Sequence, residues 1–593
     1  LKAIESKRRP VSGRALVQGF DLGASAGVVA QSLNSLENMM FAKRLLAKDA
    51  LLWSRSPDDA LRISGLLGWL SLPYSMSGRV SGIASFANEL RQDGYKNAIL
   101  LGMGGSSLAP LVLSSAFGQI KGFPRLIVLD STDPQAVLKA GGMASKDKTV
   151  FIVSSKSGTT IEPMTLLERF YRLVYGKKGV NAGRDFVAIT DPGTYLEGLA
   201  KKSGFRRVFI NTPDVGGRFS ALSYFGLVPA AIVGIDVSRL LYNAQRMLEL
   251  MHPARPYEEN PALMLGACLG AFCKEGRDKL TFFAPKALSM FPLWVEQLVA
   301  ESTGKDGKGI VPVAGEPVLE AAGYARDRVF VNIEMNRRSS APQSMVAGLK
   351  KLGHPVITIG LNDPYELGAE FMRWEAATAV AGAMLGINPF DQPDVELSKR
   401  LAMSRLDDAS NAGGVVKPVG AKVEGRGFAV FFSEEAFKPV KKSRAAGKAS
   451  TALKAFFSLL KKGDYVALLP YLNPFDRPLH RNFTKLRKTL TVATGAATQF
   501  GWGPRYLHST GQLHKGGPDN GVFIIFACAK GPEAAIPERG FDFLSLELSQ
   551  AFGDMEALNA KGRRAALILL NDRSKTAFDN ALRAVEKAAK GRA

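Results

Sequence analysis

Residues 149–163 read TVFIVSSKSGTTIEP. The opening part, TVFIVSS (149–155), is an apolar run rich in β-branched residues and reads as a buried strand. The rest crowds five hydroxyls, Ser154, Ser155, Ser157, Thr159 and Thr160, around one cation, Lys156, before a helical stretch begins. Strand, polar loop and helix form the unit of an open α/β sheet, where ligands gather beyond the carboxyl ends of the strands. A loop that opens a helix there presents free backbone N–H groups and the positive end of a dipole. Short hydroxyls and a lysine added to it make a cradle for a phosphate monoester. A Ser/Thr-rich turn with capping roles is the plainer alternative.

Working outward, similar apolar runs followed by turns and helical stretches recur at AILLGM (98–103), RLIVLD (125–130), FVAIT (186–190) and RVFIN (207–211). Such runs fit strands covered on both faces, as in a parallel sheet. A second cycle holds KLTFFAP (279–285), RVFVNIEM (328–335) and PVITIGL (355–361). Beyond a change of texture near residue 405, a third holds GFAVFF, DYVALLPYL, GVFIIFAC and AALILLN. Upstream, LNSLENMMFAKRLLAKDALLW has apolar residues at three- and four-residue spacing and predicts helix. The expected organisation is α/β: a helical N-terminal segment (1–90), a first parallel-sheet domain (91–240), a second (241–404) and an additional C-terminal α/β region (405–593). FKPVKKSRAAGKAS (437–450) is expected to be an exposed loop. FSALSYFGLVPAAIVGI, from Phe219, is too short and interrupted for a membrane span and predicts a buried helix.

A chain of 593 residues is too long for one core, and its 46% hydrophobic residues suffice for several. Lys and Arg number 77 against 54 acids, a formal charge of +23. The basic residues are scattered and accompany no nucleic-acid-reading motif, so no polynucleotide partner is expected. Three cysteines, Cys268, Cys273 and Cys528, make no disulfide framework, which points to a reducing, cytoplasmic setting. No signal peptide opens the chain. It begins at Leu1 rather than Met, and is therefore expected to be a piece of a longer product.

LLGMGGSSLAP (100–110) supports the phosphate reading: Gly102, Gly104 and Gly105 follow a strand, and Ser106 and Ser107 open a helix. Its spacing departs from the G-x-G-x-x-G of dinucleotide folds, and no G-x-x-x-x-G-K-[ST] loop occurs. Neither a nicotinamide cofactor nor a nucleoside triphosphate is expected.

GMGGSSLAP and SSKSGTTIEP, followed in order by VGGRFSALS (215–223), EQLVAESTGKDGKG (296–309) and GINPFDQPDVELSK (386–399), resemble the phosphoglucose isomerase family. The wording is closest to the isomerase half of bacterial transaldolase–phosphoglucose isomerase fusions, which also match DALLW, GLLGWLSLP and YLHSTGQLHKGGP. The resemblance implies two sugar-isomerase αβα sandwich domains, a hexose 6-phosphate substrate, no cofactor or metal, and a homodimer; this chain holds no transaldolase barrel, and whether it forms part of such a fusion stays open. Interconverting an aldose and a ketose moves a proton between C2 and C1 through a cis-enediolate, work suited to a carboxylate. Glu301 matches the family's catalytic glutamate, and Arg218 its cation for the developing charge. Gln297, one helical turn before Glu301, and Gln392 match substrate contacts. Lys399 matches a residue assisting ring opening. Ser155, Lys156, Ser157 and Thr160 fall on the phosphate pattern, with Gly105 and Ser106 against the sugar.

One feature departs from the family. A ring-opening histidine is expected between the glutamate and FDQ, yet only His354 lies there, beside Pro355 at a strand start, where a structural role is expected. His508 and His514, in YLHSTGQLHKGG, are the replacements, His508 ahead, with a neighbouring subunit as one possible source. Tolerance for mannose 6-phosphate stays open. A non-catalytic phosphosugar-binding regulator would keep the SSKSGTT cradle but have no use for Glu301 with Arg218 and Lys399.

Overall fold

In the computed structural model, the described residues are 9–10, 17–412, 418, 420–443 and 448–591. Three sheets organise them. The first has five parallel strands in the spatial order Arg125–Leu129, Asn97–Gly102, Thr149–Ser154, Phe186–Thr190 and Arg207–Ile210. Period-two alternation sends Ile99, Leu101, Phe151 and Val153 into one core layer, and Ala98, Leu100, Val150 and Ile152 into the other. Each large apolar side chain buried this way contributes about 1.5–3 kcal/mol. The strand order reverses between Asn97–Gly102 and Thr149–Ser154, so the GMGGSS and SSKSGTT loops leave the sheet side by side, where an open α/β sheet binds its ligand.

The second sheet runs Val311–Val313, Lys279–Phe283, Arg328–Met335, Val356–Leu361, all parallel, then Val17–Asp21 and Arg9–Pro10, antiparallel. The third runs Ala497–Phe500, Tyr465–Pro470, Gly521–Cys528 and Arg564–Leu570, all parallel, then Phe428–Phe432 and Ala421–Gly425, antiparallel. These two sheets meet along their corresponding edges. The Gln499 side chain donates to the Pro312 carbonyl at 2.8 Å, and the Thr498 N–H to Glu316 Oε1 at 2.8 Å. Val311 and Val313 share an apolar cluster with Ala497, Tyr506, Leu513 and Phe523.

Several local expectations change. The N-terminal stretch is not helical throughout, because Val17–Asp21 extends the second sheet; its pairing partner lies far along the chain, beyond the reach of local periodicity. The short edge strands Val311–Val313 and Ala497–Phe500 were not anticipated. Over 437–450 helix replaces loop on both flanks: Glu434–Lys442 buries Ala436 and Val440, and Ala449–Phe457 follows, while 444–447 lie outside the described residues. Tyr224–Ile232 is the buried helix expected within the apolar run. Cys268 and Cys528 are buried thiols and Cys273 is partly so, its pKa pushed up to about 12 by burial. Among the described residues no helix is long and apolar enough to cross a membrane.

Candidate active site

The loops at the carboxyl edge of the first sheet meet elements of the other two through contacts that need missing side chains. Gly104 has φ +53°, and a Cβ there would lie 2.6 Å from the His508 carbonyl oxygen and 2.8 Å from Gln297 Nε2. A Cβ on Gly105 would lie 2.0 Å from the Gly217 carbonyl oxygen. The bare backbone of Gly105 is thus used to seat the VGGR loop. The Ser106 carbonyl accepts from Ser154 Oγ at 3.1 Å, tying the two neighbouring loops together.

Glu301 lies near the end of helix Phe291–Thr303, whose Trp294, Val295, Leu298 and Val299 are buried. One turn earlier, Gln297 Nε2 donates to Glu301 Oε2 at 3.1 Å and to the His508 carbonyl at 2.8 Å. Arg218 is 3% exposed and has every nitrogen engaged: Nε donates to Ser302 Oγ (2.7 Å), Nη1 to Gln392 Oε1 (2.9 Å), and Nη2 to the carbonyls of Pro389 (2.6 Å) and Asp391 (2.9 Å). Its Nη1 also pairs with Glu301 Oε1 at 3.2 Å. Burial pulls the guanidinium below its ordinary pKa, opposed by Glu301 and Asp391. A cation at the carboxyl end of a helix is favoured by the helix dipole. Lys305, which the sequence reading passed over, donates to the carbonyls of Asn388 (2.7 Å) and Asp391 (2.6 Å) and pairs with Asp391 Oδ1, so it braces the segment carrying Gln392. Burial, then the charge of Arg218, lower its pKa to about 8. Glu301, Arg218, Gln297 and Gln392 therefore form one hydrogen-bonded group.

The hydroxyl-rich loop forms a second group. Ser155 Oγ donates to Thr160 Oγ1 at 3.2 Å, Ser157 and Thr160 share a hydrogen bond at 3.3 Å, and the Gly158 N–H donates to Ser155 Oγ at 3.2 Å. Ser155 is buried, whereas Ser157 is exposed. Thr160 precedes helix Ile161–Lys178 without a side-chain cap, so first-turn N–H groups are left facing the loop. Lys156 pairs with Asp191 and donates to the Pro213 carbonyl at 3.1 Å.

The two groups are joined by a residue not anticipated from sequence. Glu162, in the first turn of Ile161–Lys178, holds His508 Nε2 at 2.9 Å through Oε1. Burial pushes this carboxyl up, but the charge and hydrogen bond of His508 outweigh it and leave it below its ordinary value. His508 follows strand Ala497–Phe500 in the short turn Arg505–His508 and reaches Glu162 within the same chain. Arg505 fixes that turn through a bidentate pair with Asp130 at 2.6 and 2.7 Å. An acid six residues past Lys156, just after a hydroxyl-rich loop, gave no signal by itself; only the contact reveals it.

His514 is placed elsewhere. It is 1% exposed, hydrogen-bonded through Nε2 to Gln499 Oε1 at 3.0 Å, and packed on Phe523, Tyr465 and Tyr506, with burial driving its pKa well below the ordinary value. That is a core histidine, because the buried helix Gly511–Gly516 turns it away from the loop face. Lys399, on helix Val395–Ala412, is half exposed and paired with Glu396 at 2.7 Å; it touches neither Glu301 nor Arg218, although its charge acts on Glu162. His354 packs edge-on against Phe330 before Val356–Leu361, at the end of the strand away from the loops. Among the described residues no group of three or more His, Cys, Asp or Glu side chains is arranged to hold a metal.

A family model described as phosphoglucose isomerase matches residues 90–312, which span the first sheet and helix Phe291–Thr303. A glucose-6-phosphate isomerase of Carboxydothermus hydrogenoformans is 30% identical over 400 residues, 58% of this chain and 85% of that protein. One from Rubrobacter xylanophilus is 30% identical over 396 residues, 57% of this chain and 89% of that protein. In three dimensions, a hypothetical protein of Thermus thermophilus superposes with TM-score 0.55 at 25% identity, covering 66% of this chain and all of its own. A glucose-6-phosphate isomerase of Chlamydia trachomatis, at 19% identity and TM-score 0.53, shares the fold over 69% of this chain and 92% of its own. With loops, helix and relatives in agreement, the chain belongs to the phosphoglucose isomerase family.

Proposed function

We propose that the chain interconverts glucose 6-phosphate and fructose 6-phosphate, with Glu301 carrying the proton between C2 and C1. The observation that supports this most is the single hydrogen-bonded group of Glu301, Arg218, Gln297 and Gln392 beside the hydroxyl-rich loop. Ser155, Ser157, Thr160 and the first-turn N–H groups of Ile161–Lys178 hold the 6-phosphate, with Lys156 sharing its charge between the phosphate and Asp191. That anchor leaves C1 and C2 to Glu301, while Arg218 stabilises the enediolate oxygens without being free to wander. His508 opens the ring: a carboxylate on Nε2 fixes the proton there and leaves Nδ1 as the exchanging nitrogen. Lys399, half exposed on helix Val395–Ala412, assists by the charge it exerts on Glu162. The family's habit of pairing copies makes a homodimer the expected assembly, checked by analytical ultracentrifugation.

The decisive variant is Glu301→Gln, which keeps shape and hydrogen bonding but not basicity. In a coupled assay for either sugar phosphate it should lose about 10²–10⁴-fold in kcat, the range for a general base, with an unchanged melting curve. Full turnover by this variant would refute the reading.

A further inference from the structure

Glu162 receives two donors on one oxygen. Besides His508 Nε2, Gln550 Nε2 donates to Oε1 at 2.8 Å. Gln550 is buried on helix Phe543–Ala560, which packs on the third sheet, outside the stretch matched by the family model. Its own Oε1 accepts from Thr132 Oγ1 at 2.8 Å, and Thr132 lies on the loop after Arg125–Leu129 in the first sheet. A chain of hydrogen bonds thus crosses between the first and third sheets three times: Thr132 to Gln550, Gln550 to Glu162, Glu162 to His508.

We propose that Gln550 is a positioning residue for ring opening, its amide anchored by Thr132 while the NH₂ end keeps Glu162 a charged acceptor for His508. This deepens the assignment of His508 above and rests on it. A side-chain amide has one donor end and one acceptor end. With Glu162 charged, the donor end faces it, and the Thr132 hydroxyl, able to donate or accept, gives its proton to the acceptor end. Reversed, the amide oxygen would meet the carboxylate, an arrangement tolerable only if Glu162 took up a proton. The ionisable groups acting on Glu162 are His508, Lys399 from helix Val395–Ala412, and Tyr471 after strand Tyr465–Pro470. Burial holds Tyr471 neutral, and Lys399 acts at a distance from an exposed position. His508 must give and take a proton during ring opening, so its support of Glu162 varies through the cycle. Gln550, together with the Glu162 backbone N–H, is a donor that stays constant.

The test compares pH profiles of kcat/KM on glucose 6-phosphate with turnover of 5-deoxyfructose 6-phosphate, which lacks the C5 hydroxyl and cannot close its ring. Removing the donor lets burial raise Glu162, so the acid limb should move to higher pH. For Gln550→Leu we expect a rise of about one pH unit and about tenfold lower kcat on glucose 6-phosphate. KM and the turnover of the open-chain substrate should be unchanged. Thr132→Val should move the limb in the same direction, and Thr132→Ser, which keeps the hydroxyl, should restore it. A Gln550→Leu enzyme with the parent's acid limb overturns the proposal, provided His508→Ala has lost activity on the closed sugar only. If His508→Ala keeps full activity on the closed sugar, the assignment of His508 falls first and takes the proposal with it. Should Gln550→Leu fail to fold, the threonine pair decides: identical acid limbs for Thr132→Val and Thr132→Ser overturn the proposal.

Discussion

The second and third sheets follow one plan, four parallel strands with an antiparallel hairpin laid against the last, yet they use it for different ends. In the second sheet the helix after the first strand, Phe291–Thr303, carries Gln297 and Glu301. The corresponding helix of the third, Arg477–Thr494, carries none of the site residues. Its Arg487 instead donates to the carbonyls of Ala314 and Gly315 at 3.0 and 2.8 Å. Conversely, the loop after the second strand carries His508 in the third sheet, whereas in the second it is a seat on which the third sheet rests. A topology supplies a few exposed positions; which of them bears chemistry is decided by side chains alone.

The sharpest way to break this contrast is His508→Ala. If the third sheet's loop is the ring-opening arm, activity on glucose 6-phosphate should fall about a hundredfold, the lower end of the range for acid–base catalysis. Turnover of 5-deoxyfructose 6-phosphate should survive. Equal losses on both substrates would give the loop a structural role like that of its counterpart.

The seat itself can be probed at Glu316, buried between the two sheets. It pairs with Arg328 at 2.9 and 3.2 Å and accepts from the Thr498 N–H and Oγ1. Glu316→Ala strands a buried guanidinium and should cost about 3–5 kcal/mol in urea unfolding. Burial pushes the Glu316 carboxyl up, but Arg328 holds it below its ordinary 4.5. The folded value is depressed, so its stabilisation is complete above that ordinary value and is lost as pH falls through the folded one. Below about pH 4.5 the parent should therefore lose stability more steeply than Glu316→Gln. Parallel curves would mean the two sheets are held together without this contact.

Much of this architecture was legible because central strands announce themselves: TVFIVSS, GVFIIFAC and AALILLN are apolar on both faces and bounded by turns. Edge strands such as Val311–Val313 were not, since three residues with a proline carry no periodicity. The motifs VGGRFSALS, EQLVAESTGKDGKG and GINPFDQPDVELSK brought Arg218, then Gln297 with Glu301, and Gln392 into view, and the structure gathers them. Glu162, Gln550 and Thr132 escaped notice because each acts through a partner hundreds of residues away, and none is unusual locally. His508 and His514, six residues apart, illustrate the limit best. One faces Glu162, the other Phe523 and Tyr465, and the turn of backbone between them, not composition, separates their fates.

Glu162 and His508 belong to a single polypeptide, and that has a bearing on concentration. An enzyme that borrowed its imidazole from a second copy would fade as dilution drew the copies apart. Here the pair travels together, so if His508 opens the ring, that step needs no second copy, and turnover per molecule on the closed sugar should hold constant from micromolar stock down to the most dilute assay.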